Sequence, residues 1–201
     1  MLVAFIGIDG SGKTTISLKV TKLLNEMNEK SIYISPFRYI FLNYFLEFVK
    51  RKGDATGVNP YLTVSKKPFP ARLWPYLALI DNLMFFFVKI RPLLAKYKYV
   101  ICDRYFYDFY LSFEYYGYAD EFIKLLCFKI LPKPDLTFVL DVPPKIAYER
   151  KKEHPLNFYV EQRRRYLHLA SRFNLNLIDT SKEFDENLKK IIKTLKPKAQ
   201  L

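Results

Sequence analysis

The sequence predicts an α/β fold in three layers, a five-stranded parallel sheet with helices on both faces. Three observations point there. Short runs rich in β-branched and aromatic residues alternate with longer helical runs, the pattern of β–α–β units. The first apolar run leads directly into Gly7-Ile8-Asp9-Gly10-Ser11-Gly12-Lys13-Thr14, which has the form G-x-x-x-x-G-K-[ST] of a phosphate-binding loop. Hydrophobic residues make up 50% of the chain and aromatics 17%, enough for a real core and too much for disorder.

Taken in order, Leu2–Ile8 reads as the first and central strand and Lys13–Glu29 as the helix behind the loop. Ser31–Ser35 is the second strand and Tyr39–Lys50 an aromatic helix. The segment Arg51 to Pro70, with two glycines and three prolines, reads either as a plain surface loop or as a flap over an acceptor. Ala71–Lys96 is a long helix and Tyr99–Cys102 the third strand. Glu121–Leu131 is a helix and Leu136–Asp141 the fourth strand. Pro143 and Pro144 mark a helix entrance, where a missing N–H costs nothing, and the helix runs to Glu153. Phe158–Phe173 is a helix, Leu175–Ile178 the last strand, and Glu183–Leu195 the last helix, with Ser181 as its start signal. Two helical stretches, Tyr39–Val49 and Tyr76–Val88, are apolar on more than one face. They read as a homodimer contact or as additional core.

Bulk properties narrow the class. A chain of 201 residues predicts one domain spanning 1–201. Net charge is +13, from 33 Lys plus Arg against 20 Asp plus Glu, but the basic residues are scattered. That argues against a nucleic-acid partner and suits the positive potential around a polyphosphate cleft. The most apolar run, Leu73 to Ile90, carries Asp81 and Lys89, which argues against a membrane span. Cys102 and Cys127 are too few for a disulfide framework or a zinc site. With strand and phosphate loop at the N-terminus in place of a signal peptide, the expected location is the cytoplasm.

The loop itself predicts a nucleoside triphosphate. Gly7, Gly10 and Gly12 let the backbone wrap close to an anion and aim N–H groups inward, and the new helix adds its positive end. Lys13 reaches the β- and γ-phosphates, and the Thr14 hydroxyl can take a place on Mg²⁺. Asp103 and Arg104 end the third strand, where functional groups gather in such sheets. Asp103 is placed to order a Mg²⁺-bound water and Arg104 to clamp a phosphate; a structural Asp–Arg pair is the alternative.

Gly7 through Thr15, Pro36-Phe37-Arg38, Asp103-Arg104-Tyr105 and the run Pro134 to Pro144 together resemble the thymidylate kinase family, over nearly the whole chain. That resemblance implies a P-loop kinase fold and ATP- and Mg²⁺-dependent phosphoryl transfer to a nucleoside monophosphate, thymidylate first. It implies that Asp9 contacts the acceptor and that Arg38 and Arg104 hold its phosphate. Ser11, Thr15 and the rest of the loop would hold ATP, with Thr180, Ser181 and Lys182 near the adenine. Arg150 would reach the transferred group from a short lid at about 150–157, with Arg163 as a second candidate. The chain departs from the family on the base side. Ala78 and Asn82 occupy the places of a base-stacking Phe and a base-reading Arg, unless the register slips by a turn and Trp74 or Phe85 supplies the stack. Tyr115-Tyr116 replaces Tyr-Gln, so Tyr116 falls at an acceptor position. A kinase for another nucleotide or small molecule is therefore a second reading. A nucleotide-dependent binding module is a third, weakened because N-K-x-D is absent and Arg104, not an acid, follows Asp103. The reaction has no evident need of a histidine, so His154 and His168 are expected on the surface.

Overall fold

The computed structural model describes residues 1–35, 69–115, 117 and 120–196. Arg38, Tyr116, the expected helix Tyr39–Lys50 and most of the 51–70 segment lie outside the described residues. The elements run β1 Leu2–Ile6, α1 Lys13–Glu26, β2 Ser31–Ile34, α2 Phe69–Phe85, a π-helical turn Phe86–Ile90, and α3 Arg91–Lys96. They continue β3 Tyr99–Asp103, α4 Phe106–Tyr115, α5 Glu121–Ile130, β4 Leu136–Asp141, α6 Pro144–Arg150, α7 Leu156–Phe173, β5 Asn176–Asp179 and α8 Phe184–Leu195.

The five strands pair in the order β2-β3-β1-β4-β5, all parallel, so β1 is central as expected. Every residue of β1 and β3 is buried, which is why both read as unbroken apolar runs. Alternation along β1 builds two cores. Leu2, Ala4 and Ile6 join Val100 and Cys102 of β3 and the buried residues of α2, α4, α5 and α7. Val3 and Phe5 turn the other way, with Ile101, Phe138 and Leu140, onto Ile16, Val20 and Leu24 of α1 and Leu188 and Ile191 of α8.

Three boundaries differ from expectation for local reasons. The helix expected over 71–96 is divided by the π-helical turn, and Pro92 opens α3. Proline has no N–H for the carbonyl one turn back, and a widened turn accommodates that gap. Helix α1 stops at Glu26, and Asn28 then takes φ 59° while Glu29 N–H donates to Leu24 O at 2.9 Å. Ser181 does not cap α8; its N–H and hydroxyl both donate to Asp179 Oδ1.

Helix α4 was not expected. Seven of its ten residues, Phe106, Tyr107, Asp108, Phe109, Tyr110, Leu111 and Phe113, are buried and only Ser112 is exposed, so its polar positions are too few to create a clear 3.6-residue period. It is a core helix that packs against α5 and α7. No helix among the described residues is long and apolar enough to cross a membrane.

Phe138 of β4 is fully buried and stacks on Phe5 of β1 at 5.1 Å between ring centroids. Phe138→Ala is expected to cost about 3–5 kcal/mol in urea unfolding, because the rigid sheet cannot close the cavity.

Candidate active site

The carboxyl ends of β1, β3 and β4 converge, and the sequence turns sharply at each. After β1, Gly7, Gly10 and Gly12 have φ of 149°, 81° and 88°. A Cβ at Gly7 would lie 2.5 Å from Leu140 O, and one at Gly10 would lie 2.7 Å from Ala147 O. Both clashes are with backbone, so the loop can lie against β4 and α6 only through glycine. Gly12 is the N-cap of α1 and supplies no side-chain hydrogen bond, which leaves the first N–H groups of that helix for an anion.

Lys13 is buried, and its ammonium donates to Gly7 O and Ile8 O, both at 2.8 Å, with Asp9 Oδ1 3.9 Å away. Burial, reinforced by the Arg104 charge, lowers its pKa to about 8. Asp9 is paired with the Arg104 guanidinium. Burial opposes the charged form of Asp9, but Arg104 and Lys13 outweigh it and hold the carboxyl below its usual range. Arg104 follows β3 in the left-handed region, φ 79°, with its N–H on Phe5 O at 2.9 Å. A non-glycine residue rarely adopts that conformation, and such strain concentrates where geometry serves a site.

One turn away in space, Thr14 Oγ1 donates to Asp103 Oδ2 at 2.6 Å, and the Tyr33 hydroxyl donates to the same oxygen at 3.0 Å. Asp103 Oδ1 is buried and has no hydrogen-bond partner among the described residues. A hydroxyl and a carboxylate with an unspent oxygen form a hard donor set that fits Mg²⁺.

A cleft of about 500 Å³ opens over these groups. Asp9, Gly10, Ser11, Gly12, Lys13, Thr14, Thr15 and Arg104 form its floor, and Arg150, Lys151, Thr180, Ser181 and Lys182 form its walls. Arg150, the last residue of α6, donates to Gly10 O at 3.0 Å. Thr180 is fixed by N–H and hydroxyl donation to Asp141 O. Arg163 makes a two-pronged pair with Asp141, at 2.7 and 2.8 Å, and does not line the cleft.

On the expected base side, Ala78 is fully buried in the core and Asn82 Nδ2 donates to Ala78 O at 2.7 Å. Neither residue lines the cleft, and Phe85 packs against the core. His168 is exposed, as expected, but His154 is half-buried. Its ring lies 4.1 Å from that of Phe158, and its nitrogen is within 4.8 Å of carboxylate oxygens of Asp9 and Glu153.

Sequence reasoning passed over Tyr33, Asp141 and Asp108, and read Lys151, with Arg150 and Lys152, as either functional or a solvated helix face. Tyr33 and Asp141 left no sequence signal, since their partners are about 20 or more positions distant. Asp108 did leave one: it is a lone acid inside Tyr105-Phe106-Tyr107-Asp108-Phe109-Tyr110, where a buried charge demands partners.

Comparison with known proteins fits this geometry. A family model described as thymidylate kinase matches residues 58–191. A probable thymidylate kinase of Staphylothermus marinus is 31% identical, the match covering 90% of this chain and 86% of that protein. One of Archaeoglobus fulgidus is 29% identical, over 96% of this chain and 95% of the relative. The crystal structure of thymidylate kinase from Ehrlichia chaffeensis shares the fold, with a TM-score of 0.65 at 23% identity, covering 97% of this chain and 98% of that one.

Lys13 carries a stability consequence. Its pKa is lower folded than unfolded, so the folded state binds fewer protons between about pH 8 and 10.5, and stability rises with pH across that window. Below it the burial penalty is fully present, at most about 3 kcal/mol. Lys13→Met is therefore expected to melt higher than the wild type at pH 7. The difference should shrink between pH 8 and 10.5, as read by thermal unfolding.

Proposed function

Because the chain belongs to the thymidylate kinase family and is a nucleoside monophosphate kinase, we propose that it uses Mg²⁺-ATP to convert thymidylate to thymidine diphosphate. The observation that carries this reading is the gathering of Lys13, the Thr14–Asp103 pair and the Asp9–Arg104 pair on the floor of one cleft. Phosphoryl transfer asks for positioned phosphates and surrounding cations rather than for a strong base.

ATP lies with its phosphates against the loop amides and the start of α1, and its adenine beside Thr180, Ser181 and Lys182. Lys13 exchanges the carbonyls of Gly7 and Ile8 for β- and γ-phosphate oxygens. Thr14 and Asp103 hold Mg²⁺, which supplies charge neutralisation for the phosphates. Asp9 and Arg104, with Arg38, orient the acceptor monophosphate. One of its oxygens bonds to the γ-phosphorus as the bond to the β,γ-bridging oxygen breaks. Arg150, in a lid at about 150–157, comes from its contact with Gly10 O to the moving phosphoryl group and helps exclude water. The enclosing unit is a single domain spanning the chain, working in the cytoplasm, with a homodimer as its assembly.

A second reading, transfer to another nucleotide or small molecule, is favoured by one observation. Ala78 and Asn82 offer the acceptor neither a stacking ring nor a guanidinium.

The deciding experiment measures ADP formation from Mg²⁺-ATP with each common nucleoside and deoxynucleoside monophosphate supplied in turn. Thymidylate should give the largest kcat/KM, and EDTA should stop turnover. A larger kcat/KM with another monophosphate would favour the second reading. Lys13→Ala and Arg104→Ala should each lower kcat/KM by about 10³-fold or more while the proteins stay folded by circular dichroism. Turnover near wild type in either variant would overturn the assigned roles.

A further inference from the structure

Behind the cleft floor, and outside its lining, sits a carboxylate to which neither the family pattern nor the proposed reaction gives a task. Asp108, in the first turn of α4, is only 2% exposed. Its Oδ2 accepts the Tyr105 N–H at 3.0 Å, and its Oδ1 accepts the Tyr166 hydroxyl at 2.7 Å. Tyr105 immediately follows Arg104, the residue with φ 79° that pairs with Asp9. Tyr166 belongs to α7, the helix whose Tyr159 hydroxyl donates to Lys151 O just past Arg150. Asp108 thus ties the turn carrying Arg104 to the helix that follows the Arg150 segment.

We propose that Asp108 is a positioning residue for phosphoryl transfer, acting through Arg104: its carboxylate locks the left-handed turn and draws the guanidinium to the acceptor site. The proposal rests on the reading of Arg104 as an acceptor-phosphate clamp. Tyr105 N–H can only donate, so Oδ2 must be an accepting oxygen. Burial raises the carboxyl's pKa, and the charges of Arg104 and Lys13 pull it back toward the ionised form. In return, the Asp108 and Asp9 carboxylates both attract the Arg104 guanidinium. Without that counter-charge Arg104 would keep the attraction of Asp9 and the repulsion of Lys13. The left-handed turn stays in place because both ends are bonded, at Phe5 O before it and at Asp108 after it.

Asp108→Asn separates charge from shape. Its amide oxygen still accepts from Tyr105 N–H, but its NH₂ must donate to the Tyr166 oxygen, so the Tyr166 hydroxyl proton loses this acceptor along with the charge; Tyr166→Phe, which breaks the same bond and keeps the charge, is the control. The assay measures kcat and KM for whichever monophosphate the wild type uses best, with binding of that monophosphate and of an unreactive ATP analogue followed by calorimetry. The expected result is acceptor kcat/KM lower by roughly 10- to 100-fold and weaker acceptor binding, with ATP-analogue affinity not weakened. In an Arg104→Lys background the same change should have little further effect, because two residues acting as a unit are not additive. A purely structural Asp108 would lower the melting temperature and give additive losses, and that result would overturn the proposal. So would wild-type acceptor kinetics in Asp108→Asn. If Arg104→Lys by itself left acceptor binding and turnover unchanged, the clamp reading of Arg104 would fall, separately from the Asp108 test.

Discussion

The parallel pairing of Phe5 in β1 with Asp103 in β3 is the constraint on which the site depends. It places a buried carboxylate beside the start of the phosphate loop and lets Arg104 N–H bond Phe5 O. Side chains alternate along a strand, so a slip of one residue would send Asp103 into the opposite core and Arg104 away from Asp9. The register is strongly specified because both faces are apolar and full. Phe5 must stack on Phe138 on one side while Ala4 and Ile6 fill the other. Packing that has nothing to do with phosphate chemistry thereby sets the positions of the charges.

Those charges are expensive to bury and balance one another only partly. Lys13 and Arg104 face Asp9, Asp103 and Asp108, of which Lys13, Asp103 and Asp108 are buried while Asp9 and Arg104 are partly exposed to the cleft. Lys13 bears the clearest penalty, offset by two carbonyls of its own loop. A polyphosphate offers the same ammonium stronger acceptors, so occupation of the cleft would replace a makeshift arrangement with a better one.

The other wall shows a similar economy. Ala147 O approaches Gly10 so closely that no side chain fits there, and Arg150 returns to Gly10 O from the end of the same helix. The Tyr159 hydroxyl holds Lys151 O, and Tyr166, two turns further along α7, bonds Asp108. Helices α6 and α7 therefore touch both the loop and the groups beneath it, and a shift of α7 would be felt on both sides of the cleft. Elsewhere, on α2, Ala78 is part of the core and Asn82 Nδ2 donates to Ala78 O of its own helix.

Much of this was legible without coordinates. Local chemistry wrote the phosphate loop, because glycine, lysine and threonine at those spacings have few other uses, and the strands declared themselves through apolar runs buried on both faces. The central place of β1 and the nearness of Asp103 to the phosphate loop followed from those signals, and the family from the combined resemblance of the loop, Pro36-Phe37-Arg38, Asp103-Arg104-Tyr105 and the run Pro134 to Pro144. Helix α4 did not, since with Ser112 as its one exposed residue it leaves too little period to detect. The pairing of Arg163 with Asp141, the half-burial of His154 beside Asp9, and the bonds of Tyr33 and Asp108 were also hidden. Each joins residues from elements that the chain brings together only on folding. Sequence by itself determined which chemical groups the protein carries and the local turns that present them, because those depend on neighbours along the chain. Tertiary structure decided which charges meet, which are buried and which residues stand behind them, because those depend on sheet register and helix packing between distant segments.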